Sequence, residues 1–329
     1  MSVNSRIETL RGLACLLLVL YHVIGADPSF GLRVSDGPVR WFNDCLAYLR
    51  MPLFTFLSGL VYGLRPFRGN SRAFLLGKVR RLLIPMLFVG TLFALLQFYT
   101  PGTNSSVGPW YLLHVQPVAH FWFLESLFWV FLLIWALERW HLIGNVKGYG
   151  LALALACVLY LTVPGWHWFG IQGAIYLLPY FLLGLAFSRF PLGPQLARPW
   201  LRFGLAALAI VVIVWTEWPT PNSDRRTVAM LLVGMSLCAL SLSFGAVIPW
   251  LAGIGRHSYA IYLFHVFFTA SARIGLDLLQ IDYLPIDLLA GLLLGLAGPI
   301  VIDQFASRYK WPALLLLGRS LKVGAASGR

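Results

Sequence analysis

Charged residues are scarce in this chain: Asp, Glu, Lys and Arg make up 11% of its 329 residues, whereas apolar residues make up 59%. That balance leaves too little polar surface to cover a soluble globule of this length. A large water-soluble domain is therefore excluded, and the lipid bilayer is the expected solvent. Acidic residues number 12 against 25 Lys and Arg, which gives a net charge of +13. Basic residues collect in the cytoplasmic loops of membrane proteins, so this charge needs no nucleic-acid partner.

Cysteine is also rare, and the four present have no spacing typical of a metal site: Cys15, Cys45, Cys157 and Cys238. No CxxC pair occurs and no histidine lies at ligand spacing, so we expect no bound metal and assign these thiols to helix packing. The sequence also lacks a GxSxG elbow, a P-loop, an HExxH motif and a dinucleotide-binding fingerprint. These absences argue against a hydrolase, an NTPase, a zinc protease and a Rossmann enzyme.

Apolar segments of membrane-spanning length are what the chain has in abundance. A helix needs about 20 mainly apolar residues to cross a hydrocarbon core of ~30 Å. Such segments lie at about 9–26, 42–63, 82–99, 118–138, 149–165, 171–187, 203–218, 227–245, 258–276 and 284–306. We therefore predict an all-α, polytopic transmembrane helix bundle of about ten spans, forming one domain over residues 1–329. No small-residue cleavage site follows the first segment, so we predict a retained helix rather than a signal peptide.

An even number of spans returns both termini to one side, and the basic residues predict which side that is. Placing both termini in the cytoplasm leaves 18 of the 25 Lys and Arg inside. The densest group lies between spans two and three: Arg65, Arg68, Arg72, Lys78, Arg80 and Arg81. Five lie outside, namely Arg33, Arg40, Arg225, Arg226 and Arg273, and the remaining two, Arg11 and Arg50, lie within or at the edge of predicted spans. We predict cytoplasmic termini in an inner (plasma) membrane.

The predicted external loops carry large aromatic residues. Trp110 and Tyr111 lie in the third loop, and Trp166, His167 and Trp168 lie in the fifth. An interfacial aromatic belt is the favoured interpretation, but Trp and Tyr also suit a platform that stacks on sugars or contacts lipid. Both interpretations stay open at this point.

Two costly ionisable residues share the first span. It reads RGLACLLLVLYH, with Arg11 and His22 at its two ends. Eleven helical steps come to about 20° beyond three full turns, so both side chains face one direction, about 16 Å apart along the axis. This spacing lets them line one cavity, with Arg11 near its cytoplasmic end and His22 near its external end. Taken alone, the pair also fits a snorkelling arginine and a structural histidine.

Five segments in order carry a resemblance to a known family. They are the Arg-x10-His span, MPLFTFLSGL at 51–60, KVRRLLIP at 78–85, HFWFLESLF at 120–128 and SYAIYLFH at 258–265. Together, over most of the chain, they resemble the acyltransferase 3 family of multipass membrane O-acyltransferases. The resemblance implies transfer of an acyl group, commonly acetyl, from cytoplasmic acyl-coenzyme A to a carbohydrate hydroxyl. An exopolysaccharide, a lipopolysaccharide O-antigen, peptidoglycan, an antibiotic and a lipid-linked sugar all remain open as acceptors.

The resemblance also implies roles for individual residues. His22 matches the histidine regarded as essential, and imidazole takes up a proton near neutral pH, so we predict that His22 is the general base. An acyl-histidine intermediate remains an alternative. Arg11 is expected to bind or polarise the acetyl-coenzyme A donor. Lys78, Arg80 and Arg81 form a predicted cradle for coenzyme A phosphates, and Lys78 and Arg81 match the basic pair of the family.

Span four supplies a second set of candidates. An unpaired carboxylate is costly inside a membrane, so we predict that Glu125 takes part in catalysis by pairing with Arg50 or His22, with a purely structural role as the alternative. His120 and Trp122 lie near the external end of the same span and are predicted to contact the acceptor.

Span nine adds Tyr259 as a predicted substrate contact. His265 follows six residues later, on the opposite face of a helix, so packing roles are favoured over catalysis for both residues.

Three other interpretations were weighed against the acyltransferase. An ion-coupled transporter or lipid-linked sugar flippase also suits ten spans with intramembrane Arg, His and Glu, although no hydropathy repeat relates the two halves. A non-catalytic scaffold bound to polysaccharide-assembly proteins is the second of these alternatives. His22 to Asp27 also fits the HxxxxD motif of glycerolipid acyltransferases, but five helical steps rotate Asp27 by about 140° unless the helix ends by Gly25.

Overall fold

A computed structural model describes residues 3–104, 106–163, 165–166, 168–217, 226–243 and 245–321. Residues His167 and Arg225, used above, lie outside this part. The described residues form helices and connecting segments without a strand. The helices are α1 (Val3–Ile24), α2 (Pro38–Cys45), α3 (Ala47–Leu64), α4 (Ser71–Lys78), α5 (Ile84–Tyr99), α6 (Trp122–Arg139), α7 (Val146–Thr162), α8 (Ile171–Arg189), α9 (Gly193–Leu196), α10 (Pro199–Glu217), α11 (Val228–Ser243), α12 (Pro249–Arg256), α13 (Ser258–Leu278), α14 (Leu284–Ala306) and α15 (Lys310–Leu317).

In the described part, 8 helical stretches are long and apolar enough to cross a membrane. They are Asn4–Ile24, Pro38–Leu64, Ser71–Tyr99, Ala119–Arg139, Ile171–Arg189, Pro199–Glu217, Ser258–Leu278 and Leu284–Ala306. The shorter apolar helices α7 and α11 coincide with the two remaining predicted segments. The all-α multipass architecture is thus confirmed, while the count of ten spans and the side of the termini stay predictions.

The predicted third span differs most from the structure. A π-helix at Val79–Leu83 joins α4 to α5 and contains the two arginines of the KVRRLLIP segment. A π-helical turn places its carbonyls and side chains out of the regular α-helical register and occurs often at functional sites. Here the carbonyl of Arg81 accepts a hydrogen bond from the hydroxyl of Tyr259 on α13. The turn therefore ties the basic segment to a distant part of the chain.

Close approach of backbones holds α3 against α8. A Cβ added to Gly59 would lie 2.0 Å from the carbonyl oxygen of Phe181, and one added to Gly184 would lie 1.9 Å from that of Phe56. In a bilayer the hydrophobic effect does not drive helices together, so small residues that allow tight packing stabilise such pairs. Any larger side chain at either glycine would force the two helices apart.

Helix α1 packs against α3, α12, α13 and α14, which makes it a central helix of the described bundle. Helix α10 lies at the periphery, where Trp200, Phe203 and Trp215 are exposed and suited to contact lipid. Because α1 is central, its two ends define two ends of the molecule. We call the end near Ile24 the histidine end and the end where α1 begins the basic end.

Charged side chains at the basic end are held by specific partners. The buried carboxylate of Asp303 on α14 accepts from Arg319 Nη2 at 2.7 Å and lies 2.6 Å from Nδ1 of His257. Arg80 Nε donates to the carbonyl of Gly318 at 3.2 Å. These contacts fasten α14, α15 and the segment between α12 and α13 to the π-helical turn.

Candidate active site

A cavity of about 1260 Å³ lies at the histidine end of the bundle. Its wall is formed by α1, α3, α5, α6, α8, α11, α13 and α14, together with segments that follow α1 and α5 and precede α6, α8 and α11. Small-molecule sites usually measure about 300–1,000 Å³, so this cavity has room for more than one sugar ring. Amide and aromatic side chains suited to hydroxyl groups and sugar faces lie in the wall, including Gln97, Asn104, Gln116, Gln172, Trp122 and Trp166.

The end of α1 places His22 in this wall. The helix ends at Ile24, and Gly25 follows with φ +102°, a conformation that favours glycine. The carbonyl of Gly25 accepts hydrogen bonds from Arg40 Nη1 at 2.6 Å and from Asn43 Nδ2 at 3.2 Å. The turn is therefore fixed by α2, and His22 occupies the last turn of α1 with its ring toward the cavity.

The early end of α1 also bears on the HxxxxD alternative. Asp27 lies beyond the helix, so the rotation of about 140° expected for a continuous helix does not apply to it. Asp27 instead accepts hydrogen bonds from the backbone N–H of Ser29 at 2.8 Å and from the Ser29 hydroxyl. These bonds lower the pKa of the exposed Asp27 carboxyl. Its described contacts are thus local and do not include His22.

Three histidine rings meet at the cavity. The ring centroid of His22 lies 4.7 Å from that of His265 and 5.8 Å from that of His120, and the last two are 4.8 Å apart. His265 comes from α13 and is 0% exposed, while His120 comes from the short helix Ala119–Phe121 and is 5% exposed. Ala119, just before His120, has φ +48°, a strained value for a residue with a Cβ.

Backbone carbonyls hold two of these rings. His265 Nδ1 lies 2.8 Å from the carbonyl oxygen of Ile261 and 3.0 Å from that of Tyr262, one turn earlier in α13. His120 Nε2 lies 3.4 Å from the carbonyl oxygen of Leu263. Within the described residues, the other ring nitrogens, His120 Nδ1 and His265 Nε2, are buried and have no hydrogen-bond partner. The cluster therefore presents unsatisfied polar atoms next to His22.

His265 lies apart from Tyr259, as the spacing predicts, because Tyr259 contacts the basic end whereas His265 packs against His22 and His120. Only the crossing of α13 with α1 brings these rings together, so spacing within one helix carries no signal for it. The signal for His265 in the sequence is a histidine at the end of SYAIYLFH, in a second apolar segment.

Arg50 and Glu125 occupy different layers of the wall. Arg50 is buried, lines the cavity and places its guanidinium carbon 4.2 Å from the ring centroid of Tyr21. Glu125 is also buried, and its Oε2, which has no hydrogen-bond partner among the described residues, lies 3.1 Å from where a Cβ on the wall residue Gly170 would stand. The predicted pairing of Glu125 with Arg50 or His22 is not found among the described contacts. Glu125 sits one layer behind the cavity surface.

The predicted substrate contacts separate into two groups. His120 and Trp122 line the cavity with His22. Tyr259 does not, because its hydroxyl reaches the carbonyl of Arg81 at the basic end. Its position does not fit contact with an acceptor held in the cavity.

The predicted donor residues lie at or toward the basic end. Arg11 is close enough to Arg81 and Glu8 for their charges to interact, and it is not part of the cavity wall. Lys78 places its ammonium 3.4 Å from the ring centroid of Phe131, a cation–π contact. Arg81 is exposed. The geometry thus separates a histidine cluster from a cationic group, and no His, Cys, Asp and Glu cluster able to hold a metal occurs in the described part.

A family model described as an acyltransferase domain matches residues 4–303 of the chain. The match takes in all three clustered histidines and the π-helical basic segment. No curated protein and no solved structure matches the chain.

Proposed function

This chain belongs to the acyltransferase 3 family, and from that premise we propose that it moves an acyl group from acyl-coenzyme A to a carbohydrate hydroxyl. Acetyl-coenzyme A is the proposed donor, and a cell-surface or lipid-linked carbohydrate is the proposed acceptor. The protein would act in the inner (plasma) membrane, with the basic end facing the cytoplasm. The position of His22 in the wall of a large cavity at the opposite end carries the proposal.

The proposed reaction needs one group that accepts a proton and later returns it. The lone pair of neutral His22 takes the proton from the acceptor hydroxyl as its oxygen attacks the thioester carbonyl. The new C–O bond forms, the C–S bond breaks, and the coenzyme A thiolate leaves. His22 then returns its proton to the thiolate, so that an ester and free coenzyme A are the only products.

The basic end suits the anionic part of the donor. Arg81 is exposed there, and its charge interacts with that of Arg11 on the same helix as His22. Two guanidinium groups held near each other repel, and a phosphate between them relieves that repulsion through charge-assisted hydrogen bonds. From Arg11 to His22 the helix rises about 16 Å, a distance that an extended pantetheine arm spans. We therefore assign donor binding through the phosphates to Arg81 and Arg11; polarisation of the thioester, the other role predicted for Arg11, does not fit its distance from His22.

The roles of Lys78 and Arg80 are assigned more narrowly. In the structure the ammonium of Lys78 lies over the aromatic ring of Phe131, and Arg80 Nε donates a hydrogen bond to the carbonyl of Gly318. Both add positive charge to the basic end. That charge attracts an anion over about one Debye length, ~8 Å. Their direct contact with phosphate would require each to leave its present partner.

The test uses purified protein in nanodiscs with [14C]acetyl-coenzyme A and a panel of acceptors: cell-wall polysaccharide, O-antigen, peptidoglycan fragments and lipid-linked sugars. We expect free thiol to appear in step with label on one acceptor, and neither to appear with His22→Ala. Matched release and labelling would establish the acyltransferase. Acceptor uptake into sealed vesicles without thiol release would instead identify the transporter or flippase.

A further inference from the structure

We propose that His265 is a positioning residue for His22: its Nε2 accepts a hydrogen bond from one ring nitrogen of His22 and leaves the other free to face the acceptor hydroxyl. This inference rests on the proposed function, because it assigns a partner to the general base. The three-histidine cluster is its starting point, and the tautomers of the rings supply the argument.

The tautomer of His265 follows from its contacts with α13. Nδ1 lies 2.8 Å from the carbonyl oxygen of Ile261 and 3.0 Å from that of Tyr262. Carbonyl oxygens only accept hydrogen bonds, so Nδ1 must carry the proton and donate. In the neutral ring Nε2 then holds a lone pair and acts only as an acceptor. The backbone of α13 thereby fixes both the orientation and the proton of His265.

The same reasoning gives His120 the opposite tautomer. Its Nε2 lies 3.4 Å from the carbonyl oxygen of Leu263, so Nε2 donates and Nδ1 holds the lone pair. The hydroxyl of Tyr262, which lies beside both rings, donates to the carbonyl of His120 and is not available to either nitrogen. Two buried lone pairs therefore face the cluster without a donor among the described residues.

His22 is the remaining source of a hydrogen within the cluster. A neutral imidazole has one N–H and one lone pair. His265 is the nearer partner, with a centroid separation of 4.7 Å against 5.8 Å for His120. The bond is not formed in this structure, where the His22 and His265 rings meet at 64°, so a rotation of the His22 side chain must close it. Catalytic hydrogen bonds often tighten in this way when substrate binds.

The proposed bond contributes twice to the reaction. Before transfer, it fixes the tautomer of His22, so that its lone pair points toward the hydroxyl rather than toward the protein. After His22 takes the proton, its imidazolium has two N–H groups, and His265 accepts the one that does not face the leaving thiolate. A hydrogen-bonded partner of the base plays the same orienting part in hydrolase triads. Here the neutral Nε2 of His265 accepts the hydrogen bond that orients His22.

The test compares His265→Gln, whose side-chain oxygen keeps an acceptor, with His265→Leu, which fills similar space without one. His114→Gln is the matched control: His114 lies outside the cavity wall and its Nε2 lies 3.0 Å from the Thr91 hydroxyl, and burial lowers the pKa of His114. The chain has 7 histidines, so ring 15N NMR of histidine-labelled protein can be assigned by single substitutions.

The wild-type spectrum should show His265 protonated on Nδ1 and His22 in one dominant tautomer. With His265→Leu we expect the His22 signals to move toward a mixture of tautomers, and kcat to fall about 30-fold with an unchanged KM for acetyl-coenzyme A. With His265→Gln we expect a single His22 tautomer and kcat within about threefold of wild type.

Two results would overturn the inference: His265 protonated on Nε2 in the wild type, or His22 signals that are unchanged by His265→Leu. Neither result depends on turnover. Failure of the proposed function would appear separately: the wild type would release no thiol, while His265→Leu would still change the tautomer of His22. A protein that loses only stability in His265→Leu would show altered signals from all histidines, including His114, and His265→Gln then decides through kcat.

Discussion

The two ends of this bundle differ in whether their polar side chains have hydrogen-bond partners. At the basic end, Asp303 has His257 and Arg319 as partners, and Arg80 bonds a backbone carbonyl. At the histidine end, His120 and His265 each keep one buried nitrogen without a partner among the residues that the structure describes. A buried polar atom that lacks a hydrogen bond costs about 1–3 kcal/mol. The bonded charges of Asp303 and Arg80 fasten the architecture, whereas the two histidine nitrogens leave acceptors open at the place where we propose that His22 acts.

The largest expected effect distinguishes the chemical end from the binding end. His22→Ala removes the proton acceptor, so we expect kcat to fall about 10³-fold, while KM for acetyl-coenzyme A stays within about twofold. Steady-state thiol release measures both parameters, and His114→Ala serves as the control with wild-type values. A His22→Ala enzyme with normal kcat would show that the cavity histidine takes no proton.

At the basic end the expected change is in binding. Arg81→Ala removes a charge-assisted contact with phosphate, so we expect KM for acetyl-coenzyme A to rise about tenfold with little change in kcat. Arg72→Ala changes the net charge equally at an exposed position of the same end and should alter KM by less than about twofold. Equal effects of the two substitutions would reduce the role of Arg81 to general electrostatic attraction.

A smaller effect separates the aromatic belt from a sugar platform. Trp166 and Trp168 are both exposed, but Trp166 lines the cavity and Trp168 does not. Loss of one stacking contact costs about 0.5–1.5 kcal/mol, so Trp166→Ala should raise KM for the acceptor about threefold to tenfold. Trp168→Ala should leave that KM unchanged. If both substitutions leave acceptor kinetics unchanged, both residues belong to the belt.

The smallest effect on turnover is expected where the basic end is purely structural. Asp303→Asn weakens the contacts with His257 and Arg319 and leaves a buried group with poorer partners. We expect the midpoint of thermal unfolding in detergent to fall by several degrees, with kcat per folded molecule unchanged. Asp282→Asn, at a position where the structure gives no ion pair, is the control. A selective loss of kcat would instead place Asp303 in the donor site.

The sequence predicted the helices well and the contacts between them poorly. Helices coincide with every predicted apolar segment because the bilayer demands long apolar runs, and such runs are visible in a single sequence. His22 could be singled out because an ionisable side chain is costly in an apolar helix. His265 was assigned to packing, since its partner lies on α1 rather than on its own helix.

Local breaks in helical geometry are a second feature that residue spacing leaves open. Asp27 was placed about 140° from His22 unless the helix ended by Gly25, and α1 does end at Ile24. The substrate contact of Tyr259 stays a prediction, and in the structure its hydroxyl donates to the carbonyl of Arg81 in the π-helical turn. Glu125 was expected to pair with Arg50 or His22, but α6 directs it behind Gly170. Each of these depends on a turn or crossing that residue spacing does not encode.

The two ends can be tested directly by supplying donor to one side at a time. Sealed proteoliposomes of determined orientation would receive acetyl-coenzyme A, which does not cross the bilayer, on one side, and the identified acceptor on the other. The account predicts acyl transfer only when acetyl-coenzyme A faces the basic end and the acceptor faces the histidine end, and none with His22→Ala. Transfer that requires both substrates at the histidine end would contradict it, because donor would then bypass Arg81 and Arg11.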